Sequence, residues 1–228
     1  MPVDQQPRSA LMHGRPRVVA GVGARRLACR AFLFDLDGVL VDTMALIVRG
    51  LEEWAQRQHL DSRRVLDCAH GRTQVDLVRT VAPHLDAGME ATRLLERELA
   101  DVARTQACRG ALNLVNALGS TPWAIVTSGY PKLAYARLRA AGIPTPATVI
   151  TASDVSTGKP DPEGYSLAAR RLGVSAEDCL VFEDAPAGLA AGLRAGCQVV
   201  SVTCADRDLV PGCAATVMDL SEVSVLVN

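Results

Sequence analysis

Two aspartates, two residues apart, are the side chains of this sequence best suited to chemistry. Asp35 and Asp37 follow the apolar stretch 29–34, and Gly38 after them lets the backbone fold back around the two carboxylates. Two acids this close can take different roles in a phosphoryl transfer. One, held ionised by a metal, attacks phosphorus, while the other, raised in pKa by its neighbour, protonates the leaving oxygen.

The same pair of aspartates has two plainer interpretations. One is a polar turn or the entry to a helix, which the pair alone does not exclude. The other is a calcium-binding loop with Gly38 at its sixth position. That interpretation fails, because positions one and twelve would then be Leu33 and Met44, which carry no carboxylate.

Phosphate-binding candidates follow later in the chain. Ser128 ends a second apolar stretch and precedes Gly129, so a hydroxyl and a backbone N–H are available to hold a phosphoryl oxygen, although Ser-Gly is also a common turn. Lys159, one of only two lysines, lies in a loop between glycine and proline. Its point charge suits a phosphate and an attacking carboxylate together, and taken alone it fits a structural role equally well. The Lys159-Pro160 bond is a candidate for the cis form, which would aim the lysine.

Two further acids end a third apolar stretch. Glu183 and Asp184 follow residues 179–182, which are too apolar for an edge strand. Acids at the carboxyl end of a buried strand bind a metal or cap a helix, and Pro186 is predicted to begin a helix directly afterwards. Both interpretations stay open at this point.

The elements that must position these residues alternate as in a parallel α/β sheet. Apolar runs predict buried strands at 29–34, 123–126, 148–150, 179–182 and 198–202. Helical spacing predicts helices at 112–118, 132–141, 164–172 and 186–195. Ligand sites in such sheets lie beyond the carboxyl ends of the strands, where every candidate above is found.

Two other segments differ from this pattern. Residues 43–107 show only helical periodicity and are interpreted as a small all-helical insert. Residues 1–28 hold three prolines and one acidic residue without a sustained period, which predicts a loosely ordered extension. The expected domains are therefore the extension, a core of 29–42 with 108–228, and a cap of 43–107. The tail after residue 206 carries no clear pattern.

Composition limits the classes of partner. The 24 basic and 25 acidic side chains nearly cancel, so no global charge favours nucleic acid or an anionic membrane. No stretch approaches the ~20 apolar residues of a membrane span. The seven cysteines include no Cys-x-x-Cys and are expected to be free thiols in a reducing cytoplasm.

In their order along the chain, these features resemble the four-motif signature of the haloacid dehalogenase superfamily. The matching segments are FDLDGVLVDT (34–43), IVTSG (125–129), GKPDPE (158–163) and LVFEDAPAG (180–188). Chance agreement in all four is negligible. The resemblance implies a doubly wound, Rossmann-like parallel sheet with a helical cap inserted after the first strand.

The resemblance also implies roles for individual residues. Asp35 would be the nucleophile that becomes an aspartyl-phosphate, and Asp37 the acid that protonates the leaving alcohol and then activates water. Ser128, the Gly129 N–H and Lys159 would hold the transferring phosphoryl group. Mg²⁺ would be held by a set of hard oxygen ligands: the Asp35 carboxylate, the Asp37 carbonyl, Asp184, and Glu183 directly or through water.

The helical insert matches the cap of relatives that include β-phosphoglucomutases and small sugar or polyol phosphate phosphatases. A cap excludes water and contacts the part of the substrate that is not phosphate. His70 and Arg72, in the segment HGRT (70–73), are candidates for binding hydroxyls or a phosphate, and an ordinary turn between helices is the alternative. Asp154 is expected to support the lysine loop. A monomer is the expected state for this subclass.

Within the superfamily the residues favour a phosphatase. Halide displacement needs no acid at position 37, and phosphonate cleavage needs a cap lysine, whereas residues 43–107 contain none. A β-phosphoglucomutase-type mutase shares all four motifs, but it typically carries a histidine where this chain has Ile47. A regulatory protein on an inactive fold is the alternative from outside enzymology, and the complete set of acids argues against it.

Overall fold

The computed structural model describes residues 18–203 and 210–226. Its strands are β1 (Val18–Val22), β2 (Arg25–Cys29), β3 (Ala31–Phe34), β4 (Val41–Asp42), β5 (Gln106–Ala107), β6 (Trp123–Val126), β7 (Thr148–Ile150), β8 (Cys179–Glu183), β9 (Gln198–Val202), β10 (Ala215–Val217) and β11 (Val223–Leu226). Its α-helices are α1 (Met44–Arg57), α2 (Ser62–Ala69), α3 (Gln74–Val81), α4 (Ala87–Asp101), α5 (Ala111–Ala117), α6 (Pro131–Ala141), α7 (Glu163–Leu172) and α8 (Pro186–Arg194).

Six strands of the described chain form a parallel sheet, and five of them are the strands that the sequence predicts. The sixth, β10, lies in the tail after residue 206, where no pattern was recognised. The order of the six strands is β10-β9-β8-β3-β6-β7, and every neighbouring pair is parallel. Strands buried on both faces read as continuous apolar runs, and β3 is buried at all four positions. Phe34 and Phe182 stack beside each other in this core, with ring centroids 5.2 Å apart. The predicted α/β fold is confirmed.

The order of the strands brings the candidate residues together. β3 lies between β6 and β8, so the carboxyl ends of these three strands meet at one edge of the sheet. The chain changes direction there, with β6 on one side of β3 and β8 on the other, and this is the position at which open α/β sheets bind ligands.

Helices α1 to α4 form the helical insert after the first strand of the parallel sheet. They pack around a hydrophobic cluster of their own that includes Trp54, Leu77 and Leu94. The insert leaves and rejoins the core through the short antiparallel pair β4 and β5, where Val41 lies opposite Ala107. A helical cap, joined to the core through two adjacent strands, is therefore present. The domain limits of 43 and 107 stay a prediction.

The prediction of a loosely ordered segment up to residue 28 is wrong for residues 18–28. There β1 pairs with both β2 and β11 in an antiparallel sheet, and Ala20 and Val22 are fully buried. The pairing of β1 with β11 joins distant parts of the chain, whereas β1 and β2 form a local hairpin around Gly23 that the sequence analysis did not recognise. Residues 1–17 lie outside the described part.

The helices and the cysteines of the described chain can be compared with the expectations from composition. Within residues 18–203 and 210–226, no helix combines the length and the apolar character needed to cross a membrane. The described cysteines are free thiols: Cys29, Cys68, Cys108, Cys179, Cys197 and Cys213. Cys204 lies outside the described residues.

Candidate active site

The turn after β3 holds the first of the predicted residues at the sheet edge. The N–H of Asp35 donates to the Phe182 carbonyl at 3.0 Å, which extends the β3–β8 ladder by one residue and fixes the backbone of Asp35. The residue is 7% exposed. Gly38 follows with φ of +84°, and a Cβ added to it would collide with the Asp184 carboxylate. The turn therefore requires glycine for its conformation and for the close approach of Asp184.

Lys159 lies at the centre of the site. It is 8% exposed, and its Nζ donates to Asp35 Oδ1, to Glu183 Oε1 and, at 3.0 Å, to the Val126 carbonyl. Burial alone would lower the pKa of Lys159, but the carboxylates of Asp35 and Glu183 reverse this effect and raise it. The lysine therefore keeps its charge. The Lys159-Pro160 bond is cis, as the sequence analysis anticipated.

Glu183 has both carboxylate oxygens engaged by protein donors. The residue has no exposed surface, and its Oε1 accepts from Lys159 and, at 2.9 Å, from the Tyr165 hydroxyl. Its Oε2 accepts from the Ala185 N–H at 3.1 Å. Glu183 is therefore held in place by other groups and fixes the position of the Lys159 ammonium. Tyr165, which is buried and also lies below the lysine, was not singled out by sequence reasoning.

The carboxylates of Asp35, Glu183 and Asp184 form a group suited to a cation. Each offers an oxygen within 4.8 Å of the others. Among the described ion pairs that involve a lysine or arginine, Lys159 is the one cation that contacts this group, and it contacts Asp35 and Glu183. Burial, with the neighbouring acids, raises the pKa of Asp35 although Lys159 opposes it, and burial is also the main cause of the raised pKa of Asp184.

This excess of buried negative charge, presented on hard oxygen atoms, fits a divalent cation such as Mg²⁺. The donor set excludes the soft ligands that select copper or iron–sulfur clusters. The Asp37 carboxylate lies outside the group of three acids.

The Asp37 carboxylate is held by two donors on the opposite side of the turn. Its Oδ1 accepts from the Thr43 hydroxyl at 2.7 Å. The Arg137 guanidinium approaches both oxygens, with Nη1 at 2.9 Å from Oδ1 and 3.0 Å from Oδ2. The other terminal nitrogen of Arg137 donates to Glu98 of the cap.

Sequence reasoning missed Arg137 and Glu98. One signal was available: Arg137 occupies the buried face of α6 with Leu133, Ala134 and Leu138, and an arginine at such a position must have a partner. Its partners come from distant parts of the chain, so the sequence did not identify them.

Ser128 and Gly129 lie at the end of β6, facing the cap. The Ser128 hydroxyl donates to the Gly71 carbonyl at 2.8 Å, and the Gly129 N–H donates to the Thr127 hydroxyl at 3.0 Å. Both predicted phosphate-binding groups are therefore at the sheet edge. In this structure each is bonded to a protein acceptor.

The predicted cap residues have different surroundings. His70 Nε2 lies 3.3 Å from Asp184 Oδ2, and this hydrogen bond raises the pKa of His70 although burial opposes it. Arg72 is exposed and lines the cavity between cap and core. Asp154 accepts from the N–H and hydroxyl of Thr151, at 3.0 and 2.8 Å, and so braces the loop after β7.

A cavity of about 720 Å³ separates the cap from the sheet edge. Asp35, Asp37 and Ser128 form part of its floor. Gln74 also lines it, with Nε2 donating to Glu98. The Gln74 Oε1 is buried and has no hydrogen-bond partner among the described residues.

Comparison with known proteins agrees with this arrangement. Residues 29–196 match the family model of haloacid dehalogenase-like hydrolases. The chain is 41% identical over 181 residues to hexitol phosphatase A of Escherichia coli (strain K12), a match that covers 77% of this chain and 84% of that protein. It is 33% identical over 215 residues to glycerol-1-phosphate phosphohydrolase 2 of Saccharomyces cerevisiae, with 87% and 86% covered.

A solved structure supports the fold. The β-phosphoglucomutase of Clostridium difficile superimposes with a TM-score of 0.77 at 20% identity, covering 85% of this chain and 92% of that one. At this identity the likeness concerns the fold alone. The family match and the curated relatives show that this chain belongs to the haloacid dehalogenase-like hydrolases.

Proposed function

We propose that this protein is a Mg²⁺-dependent phosphatase that hydrolyses small sugar or polyol phosphate monoesters through an aspartyl-phosphate on Asp35. The observation that carries the proposal is the contact of Asp35 with Lys159 beside Asp184, with Asp37 two residues away, on the floor of the cavity between cap and core. This set offers a nucleophile, a fixed positive charge and a separate acid.

In the first step, an oxygen of the Asp35 carboxylate forms a bond to phosphorus as the bond from phosphorus to the substrate oxygen breaks. Asp37 gives its proton to that leaving oxygen, so an alcohol departs. In the second step, Asp37 takes a proton from water, whose oxygen attacks the phosphorus of the aspartyl-phosphate. Inorganic phosphate leaves and the Asp35 carboxylate is restored.

Lys159 provides charge stabilisation throughout both steps. Its Nζ already contacts Asp35, so the same ammonium is placed to balance charge on the phosphoryl oxygens. Glu183 accepts a hydrogen bond from this ammonium, and the Tyr165 hydroxyl in turn donates to Glu183. The proposed metal ligands are the carboxylates of Asp35 and Asp184 and the carbonyl of Asp37. Mg²⁺ bound there would neutralise phosphoryl charge and align the phosphorus with Asp35.

Glu183 belongs to the same acidic group, with its oxygens already engaged by protein donors. We therefore assign it a contribution through charge and through the orientation of Lys159. Ser128 and the Gly129 N–H are proposed to bind the phosphoryl oxygens. To do so, they must exchange their present acceptors, Gly71 and Thr127, for the substrate.

The cavity supports a small polyhydroxylated substrate. Its volume of about 720 Å³ lies within the range of ligand pockets for small molecules. His70 and Arg72 at the cap loop line the cavity and are proposed to contact the remainder of the substrate. The two curated relatives named above act, by their names, on hexitol phosphates and glycerol 1-phosphate.

A phosphosugar mutase is not favoured. The curated relatives quoted above are named as phosphatases or phosphohydrolases, and the cap contains no lysine. We further propose that the protein acts as a monomer in the cytoplasm. The free thiols of the described cysteines are consistent with that reducing compartment.

A phosphate-release screen tests the proposal. The panel consists of glycerol 1-phosphate, hexitol 6-phosphates and 2-deoxyglucose 6-phosphate, each with Mg²⁺ and with EDTA, and conversion of β-glucose 1-phosphate to glucose 6-phosphate is followed in parallel. We expect metal-dependent release from at least one of the three substrate classes and no release by Asp35→Asn. Absence of release from the whole panel, or isomerisation faster than hydrolysis, would contradict the proposal.

A further inference from the structure

Arg137 is a buried cation that the four sequence motifs do not include. It projects from α6 of the core, is 4% exposed, and contacts two carboxylates at once. Its Nη1 approaches both oxygens of Asp37, at 2.9 and 3.0 Å, while its Nη2 donates to Glu98. One guanidinium thus joins the proposed acid to a residue of the cap.

The shape of the guanidinium makes this contact directional. Its donors lie in a rigid plane, so two groups bound to it have fixed positions relative to each other, which a lysine cannot provide. Because Nη1 lies within hydrogen-bond distance of both oxygens of Asp37, rotation of the Asp37 side chain breaks contacts with a buried charge. The Thr43 hydroxyl, at 2.7 Å from Oδ1, restrains the same rotation.

Glu98 connects the contact to the cap. It lies on α4 and accepts from Gln74 of α3, so two helices of the insert hold it. Burial raises the pKa of Glu98, while its bond to Arg137 opposes that effect. Because Glu98 is bonded to both Gln74 and the guanidinium, it restrains Arg137 independently of Asp37. The cap thereby supplies a stationary anchor for Arg137.

We propose that Arg137 is a positioning residue that fixes the side chain of Asp37 for proton transfer, and that Glu98 makes this positioning depend on the cap. The inference rests on the proposed function, since it assigns Asp37 the role of acid. It predicts that Arg137 matters most for a substrate whose leaving oxygen needs a proton.

Comparison of two leaving groups provides the test. An alkyl phosphate, the best substrate among glycerol 1-phosphate and the hexitol 6-phosphates, requires protonation of its alkoxide, whereas p-nitrophenyl phosphate releases a stable anion. For Arg137→Met we expect kcat/KM, which reports the step up to departure of the leaving group, to fall roughly 100-fold for the alkyl phosphate and about threefold or less for the aryl phosphate. Arg139→Met, an exposed arginine on the same helix, should change neither value.

Two conservative variants keep the test decisive if Arg137→Met does not fold. Arg137→Lys retains the charge without the planar fork and should restore part of the alkyl activity. Glu98→Gln keeps the shape of the anchor and weakens its bond to Arg137, so the alkyl kcat/KM should fall about fivefold with the aryl value unchanged.

The outcomes separate the two proposals. Equal losses for both substrates in Arg137→Met and Glu98→Gln, or alkyl activity that is unchanged or higher, would overturn the positioning role. If the wild-type protein hydrolyses neither substrate class, the proposed function itself fails. Thermal melting of each variant, with and without Mg²⁺, establishes that the comparison is made between folded proteins.

Discussion

Replacement of Gly188 by alanine should damage the site from a position that does not line the cavity. Gly188 lies in the first turn of α8, and a Cβ there would meet the carboxylate of Glu183 well inside the 3.0 Å that real Cβ contacts keep. Glu183 has no exposed surface and is bonded to Lys159, Tyr165 and the Ala185 N–H. The carboxylate must therefore move, and its bonds to these donors must lengthen or break.

The size of the effect follows from the charges involved. A buried charge deprived of its partner costs roughly 3–5 kcal/mol. Alanine in a helix returns at most about 1 kcal/mol relative to glycine. The free energy of unfolding should thus fall by roughly 2–4 kcal/mol, which for a domain of this size lowers Tm by roughly 5–15 °C. Lys159 would move with its partner, and a displacement near 1 Å at a catalytic group costs about 100-fold in rate.

Urea unfolding and the phosphate-release assay measure the two effects of Gly188→Ala. Gly50→Ala is the matched control, since Gly50 also lies in a helix and an added Cβ would meet Arg97 Cγ at an ordinary 3.8 Å. It should leave activity unchanged and stability equal or slightly higher. If Gly188→Ala matched the wild type in both assays, Glu183 would not be the fixed support for Lys159 that the structure shows.

Two further substitutions give separate expectations. Burial would raise the pKa of Asp154, but hydrogen bonds from Thr151 and Arg171 outweigh it and hold this pKa below its ordinary value. The carboxylate therefore stabilises the fold above its unfolded pKa of about 3.9 and loses this effect as pH falls through the folded value. Asp154→Asn should cost about 1 kcal/mol at pH 7. In urea titrations this difference from the wild type should shrink as pH falls through the folded pKa of Asp154, whereas a constant difference would argue against this origin. Ser128→Ala removes the hydrogen bond to the Gly71 carbonyl and a proposed donor to phosphate. It should lower kcat/KM roughly 10- to 100-fold and leave Tm nearly unchanged. An unchanged kcat/KM would show that Ser128 does not bind the phosphoryl group.

The sequence predicted the parallel sheet well for a physical reason. Strands buried on both faces are continuous apolar runs, and the residues that follow them must lie at the edge where ligands bind. Asp35, Ser128 and Asp184 could therefore be placed near one another without coordinates, whereas Lys159, in a loop well after β7, was placed with them by the four-motif resemblance. The helical insert was predictable because its periodicity differs from that of the runs around it.

Features that depend on distant pairing were not predictable from the sequence. The pairing of Val18–Val22 with Val223–Leu226 joins segments far apart in the sequence, although its hairpin with Arg25–Cys29 is local and went unrecognised. The contacts of Tyr165 with Glu183, and of Arg137 with Asp37 and Glu98, join residues far apart in sequence. For Arg137 the sequence indicated only a charged residue on an apolar helix face.

The central claim is that Asp35 carries the phosphoryl group during turnover. The most direct measurement is a rapid quench of Asp37→Asn reacting with p-nitrophenyl phosphate and Mg²⁺, followed by peptide mass spectrometry. With an acid-independent leaving group and no base to activate water, we expect one equivalent of p-nitrophenol in a burst and phosphate on the peptide that contains Asp35. Asp35→Asn should show neither. Phosphate found on another residue such as His70, or steady turnover by Asp35→Asn, would contradict the account.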